Sequence, residues 1–592
     1  MKLTYLPIGD QKYTGRSDDY ARFILKKQLL DASLWRRFVE VFVTREDAAD
    51  HGWRGEYFGK MMRGACLTYR YLPDERLYAL LEQTVRDLIA TADERGRIAT
   101  YPPEHELVGW DVWCRKYVLV GCLHFYEICK DDALKGEILA AMERHLAAIE
   151  EKVGDGLIPI TDTSEWYGGM NASSILEPVV EMYKLTKNER HLAFAEHIIR
   201  AGGCKAGSAV EAAKAGVLPH EFPTTKAYET MSFFEGILAY YEATGKSEYL
   251  DVVEKFSDLV AANEVTVVGS AGCRNEHFNH SVEVQTEKYP DKYVMQETCV
   301  TVTWMRLQER LLRVTGLVKY ADRIERSALN ALYGAVNLYG EKQYGKEEKS
   351  WLEGLPFDSY SPLVSARRGI GIGGYKKFAS GGFYGCCACI GAAGTALYPL
   401  SSAMASDEGL TVLFYHAGEI LYPLKGGDVR LEIAGDHADG AFKVTIHLTG
   451  EREFALRFRV PDWSRDAEIK ACGEILPVTD GLATARRVWK EGDTITLSFH
   501  PTLGIERRNG KVAFSYGPFV LARDQGKESF FAPRRVALDG EPICRRLRPE
   551  NGERIRLEVP TRGGKLLLTD YASCGKHWTR RLSRVTVWQR AK

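Results

Sequence analysis

Two adjacent cysteines, Cys386 and Cys387, open an apolar helix-like segment, GCCACIGAAGTALYPL. Far upstream an acidic residue and a third cysteine, Glu297 and Cys299 in QETC, open another. One carboxylate and three thiols form a donor set suited to tetrahedral zinc. A thiol with an ordinary pKa of about 8.5 is only a few per cent ionised at pH 7, whereas coordination deprotonates it outright. Adjacent CC and ExC differ from the CxxC spacing of zinc knuckles, and the same residues also read as buried helix-start cysteines beside a capping glutamate. On spacing alone both readings stand.

The elements that must bring these residues together repeat along the first two thirds of the chain. Segments ending YEICKDDAL, YKLTKNERHL, YEATGKSEYL and LRVTGLVKYA each join two helical patterns through a short polar turn. Taking Cys129, Thr186, Thr244 and Thr315 as equivalent, the turns recur at intervals of 57, 58 and 71 residues. A unit of about 57 residues is two helices and their connections. Leu250, Val253, Phe256 and Val260 show the helical spacing of one apolar face. Five such hairpins lie between about residues 56 and 335. A sixth pair combines an N-terminal helix, capped near Ser17 and running through Ile24, Leu29, Trp35 and Phe38, with the helix after Cys389. Six pairs that must each bury a face close into an (alpha/alpha)6 toroid; an open solenoid is the alternative.

The unusual polar and aromatic motifs all precede the same helix of each pair: GWRGEYFGKMM, GWDVWCRKY, EWYGGMNASSILEP, PHEFPTTKAYETM, QETC and YGCCACIG. In a closed ring those helix starts converge on one cavity. Their free N–H groups and partial positive charge favour anions and thiolates.

After about residue 404 the period changes to two, in Val429, Leu431 and Ile433, then Val444, Ile446 and Leu448, then Ile495, Leu497 and Phe499. An antiparallel beta-sandwich is expected. The domains expected are a helical ring over 1–404, a sandwich over 405–525, and a strand-rich tail over 526–592 that completes the same sandwich or forms a second.

With 27% charged residues and a net charge of -1, the 592-residue chain has no basic stripe for a phosphate backbone, so nucleic acid is not expected as a partner. The first residues lack the apolar core of a signal peptide, and no apolar run is long enough to span a bilayer. A cytoplasmic protein with reduced cysteines, not associated with a membrane, is expected. A homodimer is compatible with the sequence, and no pattern requires one.

ExC followed at long distance by CC, then FRVPDW, WKEGDTITL and SYGPFVLARD, and finally DYASCGKHW and VTVWQ, resembles glycoside hydrolase family 127, whose type member is a beta-L-arabinofuranosidase. The resemblance implies an (alpha/alpha)6 catalytic barrel followed by beta-sandwich domains. It implies Zn2+ held by Glu297, Cys299, Cys386 and Cys387, and retaining hydrolysis of an oligosaccharide or glycoside with Cys386 as nucleophile. Glu276, in RNEHF, fills the place of the family's acid/base; on its own it reads as a surface carboxylate. Two departures stand out: the segment between Glu276 and Glu297 is long, and Cys389 follows the cysteine pair closely enough to replace one ligand.

Sugar contacts are expected from the other helix-start motifs: Tyr57, Trp110, Trp113, Trp166 and Tyr167 by stacking, Asn171 and Glu177 by hydrogen bonds, and His220 and His277 by either. Packing is the alternative for each. Arg54, Lys60, Arg115, Lys116, Lys226 and Arg274 are many cations for a neutral sugar and point to an acidic one, unless they pair with Glu56, Asp111 and Glu229. GIGIGGYKK, from Gly369, fits a dinucleotide-binding pattern only formally, because no strand precedes it. Two further readings remain open. One is a metal-free sugar epimerase or unsaturated-glucuronide hydrolase on the same toroid, and the other is a non-catalytic carbohydrate-binding protein with structural zinc.

Overall fold

The computed structural model describes residues 2–274, 276–287, 295–338, 343–345, 350–352, 355–368, 374–527, 535–538, 543–550, 552–575 and 584–591. The segment 369–373 of the formal dinucleotide pattern, and part of the long segment after Glu276, lie outside the described residues.

The longer helices are α1 (Arg16–Ile24), α2 (Ala32–Thr44), α3 (Gly55–Tyr71), α4 (Glu75–Ile89), α5 (Asp111–Ile128), α6 (Asp132–Glu150) and α7 (Leu176–Thr186). They continue with α8 (Glu189–Arg200), α9 (Ala227–Thr244), α10 (Ser247–Asn263), α11 (Thr298–Thr315), α12 (Val318–Arg326) and α13 (Cys386–Leu400). Neighbour contacts run α3 to α5, α7, α9, α11, α13 and back to α3, so six helices close a ring. Outside it, α4, α6, α8, α10 and α12 each pack on the ring helix before them, and α1 packs on α13. The helical domain is therefore a ring of hairpins. Its turns share one chemistry: the hydroxyls of Thr186, Thr244 and Thr315 donate to the carbonyls of Met182, Tyr240 and Leu311 at 2.9, 2.8 and 2.8 Å. The chain then leaves in a left-handed residue, Lys187, Gly245 or Gly316.

Composition separates the two layers. Ring helices are buried nearly all round; in α3 every residue from Gly55 to Tyr69 is inaccessible to solvent, and Gly59 approaches α5 so closely that a Cβ would lie 1.9 Å from the Tyr117 carbonyl oxygen. Outer helices are amphipathic, as Leu77, Leu81, Val85 and Leu88 along α4 show. Capping differs as well. Asp31, Asp74, Asp131 and Asn188 accept backbone N–H groups at the starts of α2, α4, α6 and α8, each contributing about 1 kcal/mol. None of the six ring helices has a side-chain cap. The N–H groups of their first residues turn instead to distant loops: Gly55 to the Asp47 carboxylate, Ala227, Thr298 and Cys386 to the carbonyls of Glu276, Ser359 and Gly374.

Among the described residues, the named strands of the second half pair antiparallel apart from Gly409–Val412 with Arg452–Arg459, and an isolated parallel bridge joins Val536 to Ala591. A six-stranded and a seven-stranded sheet face each other, with Tyr422 of one and Phe454 of the other at a ring separation of 6.3 Å. The N-terminal strands Thr4–Tyr5 and Gln11–Tyr13 add to an edge of each. A third sheet begins at Leu503–Arg508, upstream of the expected division near residue 525, and includes Phe519–Asp524 and Gly564–Asp570.

This third sheet supports the ring. Its neighbour Tyr571 donates to the Pro362 carbonyl at 3.0 Å and accepts from Gln296 Nε2 at 3.0 Å. Those contacts hold the short ribbon Met295–Glu297 paired with Tyr360–Pro362, which delivers Glu297 to the mouth. All thirteen cysteines are free thiols. No helix of the described residues is long and apolar enough to cross a membrane.

Candidate active site

The donor atoms of Glu297, Cys299, Cys386 and Cys387 lie within 4.8 Å of one another, and all four residues are buried. Each sits at the start of a ring helix: Glu297 and Cys299 at α11, the cysteine pair at α13. Cys299 Sγ is 3.6 Å from Cys386 Sγ, Cys386 Sγ is 4.0 Å from Cys387 Sγ, and Cys387 Sγ is 3.2 Å from Glu297 Oε1. The second oxygen, Glu297 Oε2, is buried with no hydrogen-bond partner among the described residues. Three thiols and an orphaned carboxylate oxygen, gathered from two distant segments, fit a tetrahedral thiophilic cation. Cys389, one turn into α13, is buried and lies outside this cluster.

Cys386 differs from its neighbours. Hydrogen bonding with Cys299, and next with Cys387, holds its thiol well below the usual range, and the Lys60 charge acts in the same direction against burial. Burial pushes Cys299 and Cys387 the other way. Gly374 lies against the sulfur: with φ 59°, it occupies a place where a Cβ would be 2.1 Å from Cys386 Sγ, and its carbonyl accepts the Cys386 N–H at 3.1 Å. A larger residue there would displace the thiol.

Glu276 is held at the same mouth. Its backbone is left-handed, φ 66°, a conformation that costs a non-glycine residue about 1 kcal/mol or more. The surrounding loop is clamped onto α9 by Ala227 N–H to the Glu276 carbonyl at 2.9 Å and Phe278 N–H to the Thr225 carbonyl at 2.7 Å. Buried Glu264 anchors the next turn, accepting the N–H groups of Asn279, His280 and Ser281 at 3.0, 3.1 and 2.9 Å and His220 Nδ1 at 2.8 Å. The Glu276 carboxylate accepts from Tyr360 at 2.9 Å and from Lys226 Nζ. Burial alone would raise its pKa, but the Lys226 charge and these hydrogen bonds bring it down to about 2. Tyr360 stands opposite Glu297 in the ribbon, so one element orients both carboxylates.

Between these groups lies a cavity of about 170 Å³, lined by Trp53, Trp110, Trp113, Tyr167, Tyr228 and the charged and sulfur groups above. Glu56 and Lys60, one turn apart on α3, face it as an ion pair at 2.9 Å. Burial pushes Glu56 up to about 7 despite Lys60. Lys60 also sits 4.4 Å from the Tyr228 ring centroid. The pairing of Lys60 with Glu56 is the alternative the sequence offered for that cation; Tyr228, Tyr360 and Gly374 were not expected at the site, since only the folded ring and ribbon bring them there.

Among the expected sugar contacts, Trp110, Trp113 and Tyr167 line the cavity. Trp166 lies one layer out, stacked on Trp110 at 6.1 Å. Tyr57 is fully buried, its hydroxyl donating to the carbonyls of Gly374 and Tyr384 at 3.1 Å each. Asn171 is buried against the Gly109 carbonyl at 3.2 Å. His220 holds Glu264, and His277 meets Thr225 at 2.9 Å and the edge of the Tyr167 ring. Glu177 is at the other end of the ring, bound to Arg306 at 2.9 Å. The cations divide similarly. Arg54 pairs with Asp47 and Asp50, Arg115 lies near Asp111, Arg274 pairs with Glu287, and Lys116 donates to Ser174 and Ser232. Lys60 and Lys226 alone of these six line the cavity, each beside a carboxylate.

The sequence profile described as "Beta-L-arabinofuranosidase, GH127 catalytic domain" matches residues 21–344, and that of the GH127 middle domain matches residues 409–500. No curated protein sequence gives a significant match. Among solved structures, a GH127 beta-L-arabinofuranosidase from Geobacillus stearothermophilus T6 shares 16% identity at a TM-score of 0.75, over 100% of each chain. A GH127 beta-arabinofuranosidase structure shares 17% identity at 0.74, over 100% of this chain and 98% of that one. The fold is thus common to both along the whole length. With more than half of the sequence matched by the catalytic profile, the chain belongs to glycoside hydrolase family 127 and is a glycosidase.

Proposed function

We propose that this chain is a retaining beta-L-arabinofuranosidase with Cys386 as nucleophile and Glu276 as acid/base. The observation that carries the reading is the meeting of Cys386 and Glu276 on one sugar-sized cavity, with the Cys386 sulfur 3.6 Å from that of Cys299 and 4.0 Å from that of Cys387. Both solved relatives are described as beta-arabinofuranosidases.

Zinc held by Glu297, Cys299, Cys386 and Cys387 would keep the thiols ionised and fix the direction of the Cys386 lone pair. The chain's own residues do the rest. Trp110, Trp113 and Tyr167 wall the sugar and exclude water. Cys386 Sγ attacks the anomeric carbon as the glycosidic oxygen departs with a proton from Glu276, leaving a thioglycosyl bond. Water then enters; Glu276 takes its proton as its oxygen displaces sulfur, and the anomeric configuration is retained. The resting carboxylate, ionised and clamped by Lys226, has the form needed for this second half. For the first half it must be protonated, so Lys226 has to release it as the sugar enters.

The two cavity cations are balanced by Glu56 and Glu276, which favours a neutral sugar over the acidic one the cation count had suggested. The test is hydrolysis of a beta-L-arabinofuranoside by purified enzyme with metal content measured on the same sample. Turnover with one zinc per chain, lost on chelation and restored by zinc, is expected. Cleavage unaffected by complete removal of zinc would overturn the metal assignment. Preference for an acidic sugar would overturn the substrate.

A further inference from the structure

The opposite mouth of the ring holds a second, larger cavity of about 260 Å³. It is lined by the later turns of the same helices, from Leu67 and Arg70 on α3 to Arg306, Arg310 and Arg313 on α11 and Leu397 on α13. Most of its cations are spoken for. Arg306 bridges Glu177 and Glu235 at 2.9 and 3.0 Å, Arg310 binds Glu177 and Glu242 at 3.0 and 2.8 Å, and Arg70 binds Glu127 at 3.1 Å.

Arg63 is different. It lines this cavity, is 1% exposed, and its Nε and Nη2 are buried with no hydrogen-bond partner among the described residues. Leaving donors of a buried charged group unmet is costly, so a water cluster or a ligand must meet them. Beside it stands His124, which burial first and the charges of Arg63 and Arg306 next hold well below its ordinary pKa. A neutral imidazole adds no repulsion and offers one N–H donor. The intervening wall is apolar: Leu67, Val120, Leu123, Pro178 and Leu397. Helix C-termini bring partial negative charge to this mouth, which the arginine row offsets.

From the unpaired Arg63 and the apolar wall we infer that this cavity binds a small organic monocarboxylate, its carboxylate on Arg63 and its carbon body against the leucines. A guanidinium takes a carboxylate in a bidentate pair, and the apolar wall selects against a fully hydrated anion such as inorganic phosphate. This site is independent of the hydrolytic reading, since it shares no lining residue with the cysteine cavity.

Titration calorimetry of the full chain with benzoate, butyrate and inorganic phosphate tests it. Saturable binding of benzoate or butyrate is expected. It should weaken by roughly 10- to 100-fold in Arg63→Met, the loss of one charge-assisted pair, and be unchanged in Cys386→Ala and in the presence of L-arabinose. Arg63→Met removes a charge that also favours the Glu177 and Glu235 carboxylates, but both keep the ion pairs they make with Arg306. Should it nevertheless fail to fold, Leu123→Trp, which fills the cavity, is expected to block binding in the same way. Binding of phosphate without either carboxylate, retention of carboxylate affinity in the folded variants, competition by L-arabinose, or no binding at all would overturn the proposal, the last leaving Arg63 to water.

Discussion

The two mouths of the ring are built from the same six helices and carry opposite arrangements of charge. At the starts of the helices, side-chain caps are lacking, thiols and carboxylates cluster, and two lysines face them. Toward the other mouth, arginines of α11 are tied to glutamates of α7 and α9 in a network: Arg306 and Arg310 to Glu177, Glu235 and Glu242. The difference is one of surplus. The first mouth leaves Glu297 Oε2 and a cluster of three thiols suited to a cation, whereas the second, Arg63 apart, ties most of its arginines to glutamates and holds neighbouring helices in register. Chemistry is expected where the balance is incomplete, and stability where it is closed.

Substitutions can separate these roles. The largest effect belongs to the first mouth: Cys386→Ala is expected to lower kcat by about 10⁴-fold or more, and Glu276→Gln by roughly 10²- to 10⁴-fold, in each case with the melting transition close to that of the parent. Steady-state kinetics beside calorimetric unfolding reads both quantities. Equal losses of stability in these variants would mean that the first mouth, too, is mainly structural.

Arg306→Met should do the reverse. It strands buried Glu235, takes from Glu177 one of its two arginines, and is expected to cost about 3–5 kcal/mol of stability while leaving kcat of the folded fraction unchanged. Denaturant unfolding at fixed zinc tests this. Unaltered stability would break the contrast between the two ends.

A third effect, the smallest at any single pH step, concerns the middle of the ring. Lys116 is buried, donating to Ser174 and Ser232 at 3.0 and 2.6 Å, and burial pushes its pKa down to about 7. In the unfolded chain the lysine titrates near 10.4. Between those values the unfolded state binds the additional proton, so this residue adds stability as pH rises from about 7 to about 10 and nothing further outside that window. The parent should gain up to about 1.4 kcal/mol per pH unit relative to Lys116→Met across it. Parallel stability curves for the two proteins would place the Lys116 pKa elsewhere.

What could be read from sequence follows the same division. Hairpins were legible because each repeat carries its own turn; the hydroxyls of Thr186, Thr244 and Thr315 do the same local job, and local hydrogen bonds leave a periodic trace. ExC and CC were legible because cysteines at helix starts are rare enough to notice, and their meeting follows once the ring closes. Glu276 was legible through the family resemblance, since nothing in RNEHF announces a loop pinned by Glu264 and by Lys226. Tyr57, Asn171 and His220 sit in the right motifs, yet the Tyr57 hydroxyl, the Asn171 Nδ2 and the His220 Nδ1 are taken up by backbone carbonyls or by Glu264, a choice fixed by tertiary packing rather than by spacing. The expected division at residue 525 falls inside the sheet that begins at Leu503, because a period of two marks strands without saying which sheet they join.

The central claim is that the Cys386 sulfur itself becomes bonded to the sugar. Rapid quench of the enzyme with an activated beta-L-arabinofuranoside, followed by peptide mass spectrometry, tests it most directly. The account predicts one pentosyl adduct, on the peptide and residue carrying Cys386. An adduct on another side chain, or product released with inverted configuration and no adduct, would contradict it.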